Sequence, residues 1–247
     1  MNSFISWIGG KRSLRYVILQ HFPDPSSYER YIEVFGGAAW LLFAKDRHAK
    51  MEVYNDINKN LVNLFRCVKY HPEALEKELE WNFNSREQFL DAREQSQTRG
   101  FTDIQRAAKF FLLIKESYGT DLKSFGRKDR SLVKEADHLQ RVAERLETVI
   151  IESLDFEQLI ASYDRNTALF YLDPPYYSAE HYYPDRFNPE DHERLRQCLD
   201  GVKGRFLLSY NDCAEIRELY EGYCITELER QNNLGTGRYK EILIKNC

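Results

Sequence analysis

The residues best suited to chemistry stand where an apolar run, 169–172, ends in Asp173, Pro174, Pro175 and Tyr176. The prolines have no N–H to donate, so bare carbonyl acceptors are left beside a carboxylate. Such a corner can accept hydrogen bonds from an amino group while the tyrosine ring stacks on the plane that carries it. A proline pair also marks ordinary strand-ending turns, but the flanking Asp and Tyr favour a binding corner.

A second segment joins a predicted strand to a turn of small residues, in the order Phe35, Gly36, Gly37. Glycines let the backbone approach a ligand closely, and a helix predicted over 38–44 would offer its N-terminal amides. The pattern is neither G-x-G-x-x-G nor a P-loop. Asp56 ends the next predicted strand, where an acid can bind ribose hydroxyls. Its alternative role is that of a helix N-cap.

A third segment near the start of the chain contains Trp7, Gly9, Gly10 and Lys11. A glycine pair beside an aromatic ring and a cation could wrap a ligand that carries a carboxylate, with Lys11 as the counter-ion. An ordinary turn would have the same composition. This segment therefore indicates a binding site only in combination with the two segments described above.

The hydrophobic pattern predicts the elements that position these segments. Helical periodicity with dense charge occupies 72–146, and helices fall between most of the strands. The alternation of strands and helices is typical of a doubly wound α/β sheet with a helical insert between its second and third strands. The predicted strands are 31–35, 51–56, 148–152, 168–173, 205–209, 223–228 and 241–245.

Composition excludes several classes of protein. The chain has 247 residues, 43% of them hydrophobic and 30% charged, which is typical of a soluble globular protein. It contains no run of about 20 apolar residues and no basic lead-in typical of a signal peptide, so we expect no membrane association. Five cysteines without C-x-x-C spacing predict reduced thiols in the cytoplasm, and the six histidines show no metal-ligand spacing.

Taken in order, these segments resemble the Dam-type adenine-N6 DNA methyltransferases, the D12 class of S-adenosylmethionine enzymes. The resemblance spans nearly the whole chain and extends to 153–156, 187–192, 208–211 and 232–243. It implies an α/β fold, a Rossmann-like S-adenosylmethionine-dependent methyltransferase sheet with a helical insert domain. Residues 1–58 and 149–247 would form the catalytic, cofactor-binding domain, and 59–148 the target-recognition domain.

The resemblance also implies a role for each matching residue. The enzyme would transfer a methyl group from S-adenosylmethionine to the N6 amino group of an adenine flipped out of double-stranded DNA at a specific sequence. Lys11 would lie near the methionine carboxylate, and Asp56 would hold the ribose. The implied catalytic residues are Asp173, Pro174, Pro175 and Tyr176. The implied cofactor-binding residues are Trp7, Lys11, Phe35, Gly37, Asp56, Asp155, Phe156 and Asp173.

DNA contacts are predicted from charge, because the segment 117–123 is shorter than the recognition hairpin usual in the family. The stretch 123–134 carries a local charge of +4 in a chain of net charge −4. It could neutralise phosphates, although a solvated loop would have the same composition. The predicted DNA-binding residues are Tyr118, Lys123, Arg127, Lys128, Arg238 and Lys240.

Three alternatives remain open at this stage. The acceptor could be an adenine in RNA, or the protein could bind S-adenosylmethionine or DNA without turnover. Ala39 and Trp40, which depart from the family pattern beside Gly37, and the short insert motivate the second of these. A protein amide acceptor is disfavoured, since the similar glutamine methyltransferases carry Asn at the position of Asp173. A restriction endonuclease is a partner that the resemblance allows, and a cytoplasmic, DNA-associated location is expected.

Overall fold

The computed structural model describes residues 1–81, 85–95, 100–126, 138–180, 187–229 and 240–246. They form a seven-stranded sheet of order β3-β2-β1-β4-β5-β7-β6, in which β7 runs antiparallel to both of its neighbours. All seven predicted strands are present. Their bounds are β1 Arg30–Glu33, β2 Met51–Asn55, β3 Val149–Glu152, β4 Ala168–Leu172, β5 Arg205–Asn211, β6 Cys224–Glu229 and β7 Lys240–Lys245.

Helices cover both faces of this sheet, and five of those described lie between β2 and β3. The longest of these, α5, begins with a capping box in which Thr102 and Gln105 exchange side-chain and backbone hydrogen bonds. The bounds are α1 Arg15–Gln20, α2 Lys59–Tyr70, α3 Pro72–Leu79, α4 Arg86–Gln95, α5 Asp103–Glu116, α6 Leu139–Leu146, α7 Phe156–Tyr163, α8 Pro189–Asp200 and α9 Ala214–Leu219.

Two hydrophobic cores lie on opposite faces of the sheet. Every residue of β4 is buried, as expected for a parallel strand covered on both sides. One core gathers side chains from α7, α8 and α9. The other combines the N-terminal segment and α1 with the helices between β2 and β3. The fold class predicted from the sequence, a Rossmann-like α/β sheet with a helical insert, is confirmed; the division at residues 58 and 149 stays a prediction.

An ion pair ties the helical segment to the sheet. The Arg145 guanidinium on α6 donates to both carboxylate oxygens of Glu52 on β2, at 2.9 and 2.8 Å. It also donates to the carbonyls of Leu42 and Lys45. A planar guanidinium suits this forked arrangement, so Arg145 fixes the turn that follows β1 relative to α6.

The predicted helix over 38–44 is wrong. After Gly37 the chain makes turns, and the only regular structure within that range is the 3-10 helix Leu42–Ala44. Gly37 and Ala39 both have positive φ, 49° and 55°, and a right-handed helix cannot include that conformation. No helix N-terminus therefore faces a ligand at this turn.

Other expectations concern cysteines, membrane and metal. Cys67, Cys198 and Cys213 are free thiols, but Cys224 is disulfide-bonded, so the prediction that all are reduced is wrong there. Within the described ranges no helix is long and apolar enough to cross a bilayer. Nor do three or more His, Cys, Asp or Glu side chains of that part of the chain cluster as metal ligands would.

Candidate active site

The strand order creates a crevice between β1 and β4. The chain leaves these neighbouring strands toward different sides, and ligands of open α/β sheets bind at such a switch point. A pocket opens there, and all three segments singled out in the sequence contribute to its wall. Its lining includes Trp7, Gly10, Lys11, Glu33, Phe35, Gly36, Gly37, Trp40, Asp56, Tyr171, Asp173 and Pro175.

The turn after β1 depends on its two glycines. A Cβ atom on Gly36 would lie 2.3 Å from the ring of Tyr54, closer than packed atoms come. Gly37 has a φ of 49°, and a Cβ there would lie 3.0 Å from the indole of Trp7. Ala39 also has the left-handed conformation, with a φ of 55°, which is more strained for an alanine than for a glycine. The turn thus brings its backbone against the pocket.

Asp56 holds this turn from the neighbouring strand. Its carboxylate accepts hydrogen bonds from the Gly37 N–H and the Asn58 N–H, each at 2.8 Å. The alternative role of Asp56 as helix N-cap is wrong, since the side chain of Asn58 caps α2 by accepting from the Leu61 N–H. Asp56 also lines the pocket, so its carboxylate borders the space that a ligand would occupy.

The acidic corner after β4 contains a cation. Lys11 Nζ lies 2.7 Å from Asp173 Oδ1 and 3.7 Å from Glu241 Oε2. It also lies 4.7 Å from the centre of the Tyr176 ring. The Asp173 side chain is 16% exposed, whereas those of Lys11 and Glu241 are almost completely buried. The structure therefore places Lys11 beside the carboxylate of the corner.

Tyr176 is held by the same cluster. Its hydroxyl donates to Glu241 Oε2 at 2.8 Å. Burial, together with the charges of Asp173 and Glu241, raises the pKa of Tyr176 well above its usual value. The phenol therefore stays neutral, and its hydrogen bond fixes the orientation of the ring.

An aromatic cluster borders the other side of the crevice. The rings of Phe35, Phe156 and Phe187 lie with their centroids 5.8 to 6.1 Å apart. Asp155 caps α7 and forms an ion pair at 2.8 Å with Arg194, whose guanidinium lies over the Phe156 ring. These residues line a second cavity that shares Phe35 and Phe187 with the pocket, so the predicted cofactor residues line two neighbouring cavities.

The chain that follows Tyr176 is fixed from two sides. The side chain of Asn211, at the end of β5, exchanges two hydrogen bonds with the backbone of Tyr177, at 3.1 and 3.3 Å. The buried ring of His192 bridges the Tyr210 hydroxyl, at 2.6 Å, and a carboxylate oxygen of Glu180, at 2.8 Å. The corner is thereby connected to β5 and α8.

Glu33 is a buried acid in the pocket wall. Its Oε1 accepts hydrogen bonds from the Tyr31 hydroxyl at 2.7 Å and the Leu42 N–H at 2.5 Å. Burial raises its pKa to about 8, against the opposing effect of these hydrogen bonds. Glu33 therefore carries a proton at neutral pH and links β1 to the turn that follows it.

The predicted DNA-binding residues are only partly within the described chain. Tyr118 is 73% exposed at the start of a hairpin in which Ser117 pairs with Phe125. Lys123 is exposed on the same hairpin, and Lys240 is exposed at the start of β7. The three other predicted residues, Arg127, Lys128 and Arg238, lie outside the described residues.

Four residues that the structure places at the site had no predicted role. Glu241, His192 and Asn211 lie inside segments similar to the family, and Glu33 begins the glycine-turn motif. Their buried polar contacts depend on partners far away in the chain. Proximity to a motif was the only signal in the sequence.

The fold and the site define a Rossmann-like α/β protein with a ligand crevice at the switch point of its sheet, and comparison with known proteins identifies the family. The family model of the D12 class N6 adenine-specific DNA methyltransferases matches residues 7–234, so the chain belongs to this family. The resemblance inferred from the sequence is confirmed, and the chain is an adenine-specific DNA methyltransferase.

Individual relatives agree over nearly their whole length. The chain is 28% identical to the Type II methyltransferase M1.LlaDCHI of Lactococcus lactis subsp. cremoris, over 100% of this chain and 95% of that protein. It is 25% identical to the Type II methyltransferase M.CviBI of Paramecium bursaria Chlorella virus NC1A, over 94% of this chain and 91% of that protein. It is 24% identical to a DNA adenine methylase of Vibrio cholerae serotype O1, over 96% of this chain and 92% of that protein.

Proposed function

We propose that this enzyme transfers a methyl group from S-adenosylmethionine to the N6 amino group of adenine within a specific sequence of double-stranded DNA. One observation carries the proposal: Asp173, which begins the Pro-Pro-Tyr corner, lines the same pocket as the glycine turn and Asp56. A donor site and an acceptor site thus share one crevice.

The pocket fits the chemistry of S-adenosylmethionine. Trp7 and Phe35 offer flat apolar faces to an adenine or a sulfonium, and Asp56 offers a carboxylate to ribose hydroxyls. Gly37 leaves room that a Cβ atom would fill against Trp7. Bound there, S-adenosylmethionine supplies an electrophilic methyl group. Asp155 and Phe156, in the adjoining cavity, belong to the same proposed binding site.

Lys11 has a different place in this proposal from the one that the resemblance implied. Its ammonium lies 2.7 Å from Asp173, so it neutralises part of the corner's charge. We propose that Lys11 orients the Asp173 carboxylate by holding Oδ1. The contact between Lys11 and the methionine carboxylate that the resemblance implied stays a prediction.

The acceptor residues compensate for a weak nucleophile. The lone pair of an adenine amino group is delocalised into the ring. The Asp173 carboxylate and the Pro174 carbonyl would accept its two N–H groups and favour a pyramidal nitrogen. The amine would lose one proton on methylation, and the Asp173 carboxylate, which would already accept a hydrogen bond from it, is the group placed to receive that proton. Holding the reacting atoms in line can supply about 7–11 kcal/mol of the barrier reduction.

Tyr176 would bind the face of the extruded base. Taking a base out of the duplex costs a few kcal/mol. Stacking on an aromatic side chain returns about 1–3 kcal/mol. Because Glu241 fixes the hydroxyl of Tyr176, the ring is already oriented before the base arrives. Tyr118, Lys123 and Lys240 are the described residues that we propose for contacts to the rest of the DNA.

The test compares acceptors directly. Labelled S-adenosylmethionine is incubated with the enzyme and either unmethylated duplex DNA or RNA of the same sequence, and label on each polymer is counted. We expect label on DNA. Label on RNA alone would favour the RNA methyltransferase, and cofactor binding without label on either polymer would favour the non-catalytic binder. Asp173→Ala serves as the inactive control.

A further inference from the structure

The N-terminal segment is an uncompensated basic surface in an acidic protein. Residues 1–23 contain no Asp or Glu but include Lys11, Arg12 and Arg15. The charge of Lys11 is matched within the site by Asp173 and Glu241. Within the described part of the chain, no carboxylate lies within ion-pair distance of either arginine. Two positive charges therefore stand on this surface without a carboxylate partner among the described residues.

The two guanidinium groups are held against the wall of the pocket. The Arg12 guanidinium lies 5.7 Å from the centre of the Trp40 indole ring, and the Arg15 guanidinium lies 5.2 Å from it. Trp40 itself lines the pocket beside Gly10. A Cβ atom added to Gly10 would lie 3.0 Å from the indole nitrogen of Trp40. Only the Trp40 side chain therefore lies between these two arginines and the pocket that Asp173 lines.

The two arginines differ in the donors that they have left. The Arg15 guanidinium donates to the Arg12 carbonyl at 2.6 Å, to Asn2 Oδ1 at 3.1 Å and to the Tyr16 hydroxyl at 3.3 Å. The side chain of Arg12 is exposed, and no hydrogen bond from it to a described residue is formed. Arg15 therefore holds the backbone of Arg12 in place, while Arg12 keeps its full set of donors.

We propose that Arg12 binds a backbone phosphate of the DNA next to the target nucleotide, and that Arg15 positions it and adds positive charge. The inference rests on the proposed function. A guanidinium presents a planar fork that matches phosphate oxygens, and stacking on Trp40 reduces the rotational freedom lost on binding. A base that enters the pocket keeps its own backbone at the mouth, so phosphates must lie close to this wall.

Salt dependence provides the test. Binding of sheared, unmethylated genomic DNA is measured over a range of salt concentrations for wild type, Arg12→Gln, Arg12→Lys and Arg47→Gln. Each neutralised phosphate contributes about 0.9 to the slope of log affinity against log salt. We expect Arg12→Gln to lower that slope by about 0.9, and Arg12→Lys to keep most of it.

Arg47→Gln is the matched control. Arg47 is also exposed and donates to the backbone carbonyls of Ala49 and Lys50. It precedes β2 and so lies at the amino ends of the parallel strands, whereas the pocket lies at their carboxyl ends. Its slope should equal that of wild type. Affinity for S-adenosylmethionine should stay unchanged in all variants, which checks that the pocket is intact.

The outcomes separate the inference from the proposed function. If wild type methylates DNA but Arg12→Gln keeps the wild-type slope, the phosphate site is wrong and the proposed function stands. If Arg47→Gln lowers the slope as much as Arg12→Gln, the effect is one of general charge and the site is also wrong. If wild type neither binds nor methylates DNA, the proposed function fails and takes this inference with it.

Discussion

Lys11 Nζ lies 2.7 Å from Asp173 Oδ1, so the first motif of the chain supplies the counter-ion of the last one. The ammonium neutralises part of the negative charge of this largely buried corner. Glu241, 3.7 Å from the same ammonium, shares that cation and also holds Tyr176. The acceptor corner is therefore a four-residue cluster that joins the N-terminal segment to β4 and β7.

Asp173→Ala should abolish methyl transfer without unfolding the protein. The substitution removes the acceptor for the target amine and leaves Lys11 paired with Glu241. We expect the rate of the chemical step to fall by two orders of magnitude or more, on the scale seen when a key polar group of an active site is removed. Single-turnover transfer measures that step, and circular dichroism checks folding. Near-normal turnover would refute the role of Asp173.

Tyr176 allows stacking and hydroxyl chemistry to be separated. Tyr176→Ala removes the ring and should weaken binding of the target-containing DNA about 10- to 100-fold, the equivalent of about 1–3 kcal/mol of stacking. Tyr176→Phe keeps the ring and loses only the bond to Glu241, so we expect a much smaller loss. Equilibrium binding of both variants is the measurement. Equal losses would mean that the hydroxyl, and not the ring, binds the DNA.

Glu33 should make stability depend on pH in a predictable direction. Its pKa in the folded protein is about 8, against 4.5 for an ordinary glutamate, so folding favours the protonated form. The stabilising contribution is complete below about pH 4.5 and is lost as pH rises through about 8.

Glu33→Gln is the matched variant for that pH dependence. Gln keeps an oxygen for the Tyr31 hydroxyl and the Leu42 N–H but cannot ionise. The free energy of unfolding, measured in urea from pH 5 to 9, should decline less steeply with pH in the variant than in wild type. Parallel curves would show that Glu33 does not titrate in this range.

His192 should contribute to stability through the buried hydroxyl of Tyr210. His192→Phe keeps a ring of similar shape but leaves that hydroxyl without its partner at 2.6 Å, which should cost about 1–3 kcal/mol. Adding Tyr210→Phe removes the unpaired group and should restore part of the loss. Urea unfolding of both single variants and the double variant gives the coupling energy. Strict additivity would argue against the contact.

The predictions from sequence succeeded where local pattern decides the structure. The run that became β4 is apolar because both faces of a parallel sheet are covered, and that signal is continuous in the sequence. The order of the motifs then indicated the family. The turn after β1 was predicted wrongly because the positive φ of Ala39, a residue that normally favours helix, is imposed by tertiary packing.

The ion pairs of the site could not be predicted for a similar reason. The sequence marks Lys11 as a cation beside glycines, which suits a ligand carboxylate as well as a protein one. Its actual partners are Asp173 and Glu241, brought together only when β4 and β7 take their places in the sheet. The same holds for the pair of His192, on α8, and Glu180, in the segment that follows β4.

The most direct test of the account is the identity of the methylated nucleoside. Unmethylated duplex DNA is incubated with labelled S-adenosylmethionine and wild type or Asp173→Ala, digested to nucleosides and separated. The account predicts label in N6-methyladenine with wild type and none with the variant. Label at another base or another position of adenine, or N6-methyladenine formed equally by Asp173→Ala, would contradict it.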